Sequence, residues 1–345
     1  LKKLLIVGQG IAGTVLGHTL ELQGVLPLVM DEAKSGPSCS EVAMGLVNPI
    51  TGKRFAKSWM YDTLYPFARS FYLEFGKSFQ LSAWEDCRID RILSDAMHIN
   101  NWSSRCHWDD MAPYMRAVST ESNWDPYTLS PSGYGHIVQA GRVHMGKIIE
   151  AYRKHLLANG RWLEGPWNHH HTGDCFSHFD AVVFCEGYKG KDNPLFSWLP
   201  WELSKGQAML VRFDSPTTLP LTVVLKKKLV VAAWENGQFW VGSSHLREYE
   251  SEYPDIETQK ELADELGLMV NLPYIFCENR AGIRPCVADR RPFLGVSKER
   301  STAYLFNGLG TKGGLLAPYW AQHFTDFLLQ DKALDIQVDI RRFTD

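Results

Sequence analysis

Leu4-Leu5-Ile6-Val7 runs without a break into Gly8-Gln9-Gly10-Ile11-Ala12-Gly13 near the N-terminus. An unbroken apolar run reads as a strand buried on both faces, the kind found in parallel sheets. A helical pattern follows the glycines, with Val15, Leu16, Thr19, Leu20 and Leu22 on one side. Gly24 ends it at a C′ position. A second apolar run, Val25 to Met30, closes with Asp31-Glu32. The pattern is strand, glycine turn, helix, strand. Gly8 permits the tight turn, Gly10 lets the backbone approach a pyrophosphate, and Gly13 lets helix and strand pack closely. The helix start at Ile11 and Ala12 offers N–H groups and partial positive charge to phosphates. Asp31 lies 18 residues beyond Gly13, where a carboxylate can accept hydrogen bonds from ribose hydroxyls, with Glu32 as the rival acid. The unit predicts dinucleotide binding. An acid at the ribose position disfavours NADP, but the motif alone does not separate FAD from NAD.

The rest of the composition is that of an ordinary folded protein. The 345 residues carry 36 Lys+Arg against 39 Asp+Glu, a net charge of −3, and are 45% hydrophobic. Such apolar content excludes a disordered chain, and the length allows two domains. The near-balanced charge argues against a nucleic-acid partner. The cysteines Cys39, Cys87, Cys106, Cys175, Cys185, Cys277 and Cys286 show no C-x-x-C spacing, which suggests neither a zinc knuckle nor a closed disulfide set, and no metal site. The usage is that of a cytoplasmic protein. The stretch Leu1 to Val7 does not read as a signal peptide, and the sequence has no apolar run long enough for a membrane span.

Two further segments decide the cofactor. One is Ser38-Cys39-Ser40-Glu41-Val42-Ala43-Met44-Gly45-Leu46-Val47-Asn48-Pro49. The other is a C-terminal block: Ala281-Gly282-Ile283-Arg284-Pro285, then Asp289 to Gly295, then Asn307-Gly308-Leu309-Gly310-Thr311-Lys312-Gly313-Gly314. Together with the N-terminal unit, in this order and almost from end to end, they resemble the D-amino-acid oxidase / glycine oxidase family of FAD-dependent oxidoreductases. The resemblance implies an α/β fold: a Rossmann-like FAD-binding domain of the glutathione-reductase type, with a second, α+β substrate domain built on an antiparallel sheet. It implies that Gly8, Gly10, Ile11, Ala12, Gly13 and Asp31 or Glu32 hold the ADP half of FAD, with Ser38 and Ser40 beside the phosphates. Met44, Gly45 and Leu46 would lie against the isoalloxazine ring, and Gly187 would end a later sheet strand near the cofactor. Gly308, Gly310, Thr311, Lys312 and Gly313 would face the flavin N1–C2=O edge. The residues themselves agree, because a strand-like run at Tyr304-Leu305-Phe306 leads through this glycine cluster into a helical pattern from Leu315 to Leu329, which makes a second anion-friendly helix start.

Arg284 matches the family arginine that pairs with the substrate carboxylate, a task suited to a planar fork of donors. A structural salt bridge, for instance to Asp289, is the alternative. The sequence departs from the family at two points. Glycine oxidases carry a second substrate-side arginine where this chain has Thr311, followed by Lys312, so the resemblance carries over neither that contact nor glycine as substrate. No cysteine matches the covalent flavin attachment of the sarcosine-oxidase branch, so FAD is expected to be non-covalent.

The expected reaction is oxidation of the C–N bond of an amino acid or N-alkylamino acid by hydride transfer to flavin N5, with oxygen or a quinone as acceptor. The alternatives are a 2-hydroxy-acid dehydrogenase, an enzyme like the oxidase half of the tRNA wobble-uridine modification enzyme, and a non-catalytic flavin-binding protein. The FAD domain is expected in three pieces, 1–75, 135–203 and 283–345, with 76–134 and 204–282 forming the substrate domain. Trp59, Trp84, Trp102, Trp108, Trp124, Trp234 and Trp240 fall in or near the substrate half and suggest an aromatic pocket. His169-His170-His171 reads as a solvated turn rather than a metal site, and Lys226-Lys227-Lys228 as an exposed hairpin tip or sheet edge.

Overall fold

The computed structural model describes residues 3–32, 38–129, 131–169, 176–214, 219 and 221–344. In chain order its helices and strands are β1 (Leu4–Val7), α1 (Ile11–Leu22), β2 (Leu28–Asp31), α2 (Cys39–Val42), β3 (Leu46–Val47), β4 (Ile50–Thr51), β5 (Ala56–Lys57), α3 (Tyr61–Phe79), β6 (Trp84–Leu93), α4 (Ala96–Arg105), β7 (Met115–Ser119), β8 (Gly133–Val143), α5 (Met145–Ala158), β9 (Trp162–Glu164), β10 (Ala181–Phe184), β11 (Ser204–Phe213), β12 (Val223–Lys226), β13 (Val230–Ala233), β14 (Phe239–Gly242), α6 (Ile256–Gly267), β15 (Tyr274–Arg284), β16 (Phe293–Val296), β17 (Ala303–Asn307) and α7 (Gly313–Gln330).

Two sheets organise these elements. The first has the order β16-β17-β10-β1-β2-β9. All its pairings are parallel except β16 with β17. Its central strands β1 and β10 are buried along their whole length, which is why their sequences are unbroken apolar runs. Helices α1 and α7 pack together against this sheet, with Val15, Leu16, Leu20, Trp320 and Phe324 in the core.

The second sheet has the order β15-β11-β14-β13-β12-β6-β8-β3, with β7 also on β8. It is antiparallel apart from one parallel pair, β12 with β6. Strand β3, and the part of β8 beyond residue 134, lie in segments that the sequence reading gave to the cofactor part, yet both pair in this sheet. The long ladder of β8 on β6, from Trp84↔Val143 to Leu93↔Gly133, carries them there. Two glycines of β8 make that ladder packable. A Cβ on Gly135 would fall 2.3 Å from the Trp102 ring, and one on Gly141 2.1 Å from the Trp84 ring.

The tryptophans do not gather into one pocket. Trp84, Trp102 and Trp124 are core residues, Trp108 is exposed, and Trp59 stacks on Trp320. Trp240 is buried and donates its Nε1–H to the Val42 carbonyl at 3.1 Å, which ties the large sheet to the segment after β2.

Helix α1 crosses β1 so closely that a Cβ on Gly13 would lie 2.0 Å from the Gly8 carbonyl oxygen. A backbone atom cannot step aside as a flexible side chain can. Gly13→Ala is therefore expected to cost about 1–3 kcal/mol or more. A urea midpoint equal to that of the wild type would contradict this packing.

Candidate active site

Parallel pairing puts the C-terminal ends of four strands on one side of the first sheet. Val7 is level with Met30 and Phe184, and Phe184 with Leu305. The chain thus leaves β1 at Gly8, β2 at Glu32, β10 at Cys185 and β17 at Gly308, all at the same edge, which is where open α/β sheets bind ligands.

The N-terminal turn is built for close approach. Gly8 has φ +97°, and a Cβ there would sit 2.6 Å from the Cys185 carbonyl oxygen. Gly10 caps α1 without any side-chain hydrogen bond, and Ile11 and Ala12 follow it, buried, in the first turn. Ser40 belongs to this turn: its Oγ accepts the Ile11 N–H at 3.2 Å and lies 3.5 Å from where a Gly10 Cβ would be. The Asp31 carboxylate accepts the N–H groups of Gln9 at 3.2 Å and Glu32 at 3.1 Å. The Glu32 side chain points away to an ion pair with Lys189. Ser38 forms a capping box with Glu41, to which its N–H and Oγ–H donate at 2.7 and 2.6 Å.

The remaining sequence motifs converge on the same place. A Cβ on Gly313 would lie 3.1 Å from the Ile11 side chain, and one on Gly282 2.8 Å from Cys39 Cα. A Cβ on Gly310 would lie 3.6 Å from the Cys286 thiol, and one on Gly308 would run into Val287. Gly45 has φ +75°, with the Val143 carbonyl oxygen 2.0 Å from the site of a Cβ; Met44 beside it is buried, and Leu46 opens β3 opposite Arg142. Gly187 has φ +59°, and its carbonyl accepts the Asn307 side-chain N–H at 3.0 Å. Thr311 is exposed in the turn before α7. A cavity of about 170 Å³ opens between Leu46, Asn48, Lys226, Thr311, Lys312 and Leu315. Asn48 Nδ2 is buried there with no hydrogen-bond partner, and an unsatisfied buried donor calls for an acceptor. Glycine walls without side chains, a helix start and this orphan donor together suit a long, phosphate-bearing, ring-ended cofactor.

Arg284 ends β15 with its guanidinium laid over Gly206 of β11, where any Cβ would collide with it at 1.8 Å. It donates to Ser243 Oγ at 2.7 Å, Ser244 C=O at 3.2 Å, Ser204 Oγ at 3.3 Å and His245 Nδ1 at 3.2 Å. Every one of these acceptors is neutral. Asp289 is not a partner, because its carboxylate is held by Arg342 at 2.8 Å. Burial pushes the Arg284 pKa down. Burial, with Arg284 beside it, also pushes His245 down and favours the neutral imidazole. Burial pushes the Cys39 thiol up to about 11 and raises that of Cys286, which makes both poor nucleophiles.

A second group of cations departs from the sequence expectation. Lys227 and Lys228 do lie at the β12–β13 turn, where Lys228 pairs with Glu265. Lys226 does not share that surface role: it ends β12 and lines the cavity. Strand alternation was the available signal, since Lys226 shares a face with the core residue Val224. Lys226 is level with Arg91 of β6, and Lys312 donates to Ser58 Oγ at 3.1 Å. Burial, with Arg91 and Lys312 as neighbours, pushes Lys226 down to about 8. Burial, with Arg290 and Arg291, does the same to Lys312.

His169 is 3.0 Å from a Glu186 oxygen, while His170 and His171 lie outside the described residues. Among the described residues no cluster of His, Cys, Asp or Glu could hold a metal, and no helix is long and apolar enough to cross a membrane.

The family model for FAD-dependent oxidoreductases of the DAO type matches residues 3–327. The chain belongs to that family, and FAD is its cofactor. It is 24% identical to a glycine oxidase of Pseudomonas putida, over 95% of this chain and 94% of that one. The structure resembles glycine oxidase from Geobacillus kaustophilus, with TM-score 0.78, 16% identity and 97% of each chain covered. It also resembles iminodiacetate oxidase from Chelativorans sp. BNC1, with TM-score 0.75, 17% identity and 97% of each chain covered. The α/β fold, with its Rossmann-like cofactor domain, is theirs.

Asp31 marks the end of β2 in this cradle. Asp31→Ala is expected to lower FAD occupancy after gel filtration, measured as the ratio of flavin to protein absorbance. Equal occupancy in wild type and variant would remove Asp31 from the ribose position.

Proposed function

We propose that this protein oxidises the C–N bond of an amino acid or N-alkylamino acid. The observation that carries the reading is Arg284: a half-buried guanidinium beside the cofactor cradle whose acceptors among the described residues are all neutral. Burying an unpaired charge is costly, so such a fork is suited to a ligand's carboxylate. The glycine oxidase and iminodiacetate oxidase relatives, whose names denote oxidation of such substrates, support the same class.

In this reading Gly8, Gly10, Ile11, Ala12, Gly13, Ser40 and Asp31 hold the ADP half of FAD. Met44, Gly45 and Leu46 hold one side of the ring, and the Gly308–Gly313 turn its edge. Bound FAD supplies the electron acceptor for hydride transfer at N5. Arg284 fixes the substrate through its carboxylate and so sets the direction of its Cα–H. Loss of hydride from the neutral amine leaves an iminium ion, which water hydrolyses to the oxo acid and the protonated amine. Little acid–base machinery is needed from the chain, because orientation is the protein's main contribution. FAD is held non-covalently in this reading, and acid precipitation should release it. The final acceptor is oxygen or a quinone.

A second reading, oxidation of a 2-hydroxy acid, needs a base for the hydroxyl proton. His245, held neutral beside Arg284, is the group that would serve. Anaerobic flavin bleaching separates the two: amino and N-alkylamino acids are expected to bleach the flavin, and hydroxy acids are not. Bleaching by hydroxy acids alone would reverse the assignment. Arg284→Ala is expected to keep FAD and to raise KM by about 30-fold or more, or to abolish turnover. Unchanged kinetics with the best substrate would take Arg284 out of the site.

A further inference from the structure

Arg91, Lys226 and Lys312 form a group of cations for which the described residues provide no carboxylate. Lys226 and Arg91 sit level on neighbouring strands, an arrangement of like charges that destabilises a sheet. The Arg91 guanidinium rests 5.7 Å from the Phe55 ring centre, and among the described residues the Lys312 ammonium bonds only a hydroxyl, Ser58 Oγ. Lys226 makes no hydrogen bond or ion pair with a described residue, and its chain lines the 170 Å³ cavity with Thr311 and Lys312. These three are half-buried, and unpaired charges drawn partly out of water are retained at a cost in stability, here concentrated where the cavity opens beside Leu46 and the turn before α7.

Lys226 is also on the same face of the large sheet as Arg284. It is level with Val230, Val230 with Gly242, Gly242 with Ala208, and Ala208 with Arg280. Arg284 lies four residues beyond Arg280 on that face. Four strand steps and four residues along the strand put the two backbones on the order of 20 Å apart. The Arg284 guanidinium already leans over Gly206, three strand steps and two residues from the level of Lys226, and a lysine reaching about 6 Å toward it leaves a gap of roughly 10 Å between the heads. A single carboxylate, even with a hydrogen bond of about 2.8 Å on each side, cannot close such a gap.

We propose that Lys226, with Arg91 and Lys312 beside it, binds a second acid group of the substrate, so that the substrate is a small amine carrying two acid groups, one held by Arg284 and the other at the cavity. This rests on the amine-oxidising reading above and specifies its substrate class. The chemistry at the cavity is that of a carboxylate or a phosphonate. The lowered pKa values of Lys226 and Lys312 fit such a role: each ammonium keeps its proton below about pH 8 and would be held protonated longer by a bound anion.

The test is anaerobic reduction of the flavin in the holoenzyme by matched amines: sarcosine with one carboxylate, iminodiacetate with two, and N-(phosphonomethyl)glycine with a carboxylate and a phosphonate. The wild type is expected to bind the two-acid amines at least tenfold more tightly than sarcosine, the stronger of the two identifying the acid group preferred. Lys226→Met is expected to shrink that ratio at least tenfold, and Lys226→Arg to restore part of it. Equal affinity for sarcosine and iminodiacetate in the wild type, or a ratio unmoved in Lys226→Met, would overturn the proposal. The wild-type comparison stands even if the methionine variant does not fold. A readout independent of turnover is the perturbation of the flavin spectrum by malonate against acetate, expected to favour malonate and to weaken between pH 7 and 9 as Lys226 and Lys312 lose their protons. No preference for malonate would also count against the proposal. If no amine bleaches the flavin while malonate still binds through Lys226, the amine-oxidising reading fails and the cationic site stands. If sarcosine bleaches the flavin as readily as iminodiacetate, the reverse holds.

Discussion

The close approach of α1 to β1 is the constraint on which the site depends. With Gly8 and Gly13 side by side, the helix start sits directly over the end of the first strand. Because β2, β10 and β17 run parallel to β1, their ends collect at that same edge. The described residues that follow β2, from Ser38 on, lie at the helix start, where Ser40 accepts the Ile11 N–H. Gly313 brings the start of α7 against Ile11 from the other end of the chain. A side chain at Gly8 or Gly13 would push these pieces apart, and motifs from both chain ends would no longer share one cradle.

The large sheet closes the cradle from the opposite side, and its contacts are chosen by small residues and polar ties. Trp240 is fixed by the Val42 carbonyl, Gly282 lies on Cys39, and Arg284 lies on Gly206. Each contact joins a strand of the second sheet to the segment that follows β2 or to a neighbouring strand. The guanidinium is placed by Ser204, Ser243, Ser244 and His245, which come from the start of β11 and the residues after β14. These hold its direction without neutralising it, so the charge remains available to an anion.

The local parts of this arrangement could be read from the sequence, and the parts that depend on strand pairing could not. The β1-α1-β2 unit shows itself because burial, helix period and glycine positions all lie within one short stretch. The C-terminal glycine turn is legible for the same reason. The partners of Arg284 were not foreseen, since nothing in their local sequence joins Ser204 to Ser243 or His245; the pairing of β11 with β14 and β15 does so. Strand β8 shows the same limit: its own residues do not say which sheet it enters, and the match to β6 decides. Lys226 is not legible in this way, because a run of three lysines looks like a solvated turn. Two of the three are at the turn, but the first is still in the strand, and alternation sends it inward.

That inward lysine changes what the near-neutral net charge means. A chain at −3 has no overall field to attract anions, yet Arg91, Lys226, Lys312 and Arg284 all stand at or near the cradle without a carboxylate among the described residues. The balancing acids are elsewhere, for example in Asp289 with Arg342 and Glu265 with Lys228. Sorting charge in this way costs stability at the site and makes the site selective, because a buried cation discriminates strongly between a ligand that neutralises it and one that leaves it bare. A flavin ring alone does not require so many cations. Its negative charge on reduction is single and sits at one edge, which Lys312 and the start of α7 can serve. The surplus at Lys226 and Arg91 is therefore charge that the substrate has to answer.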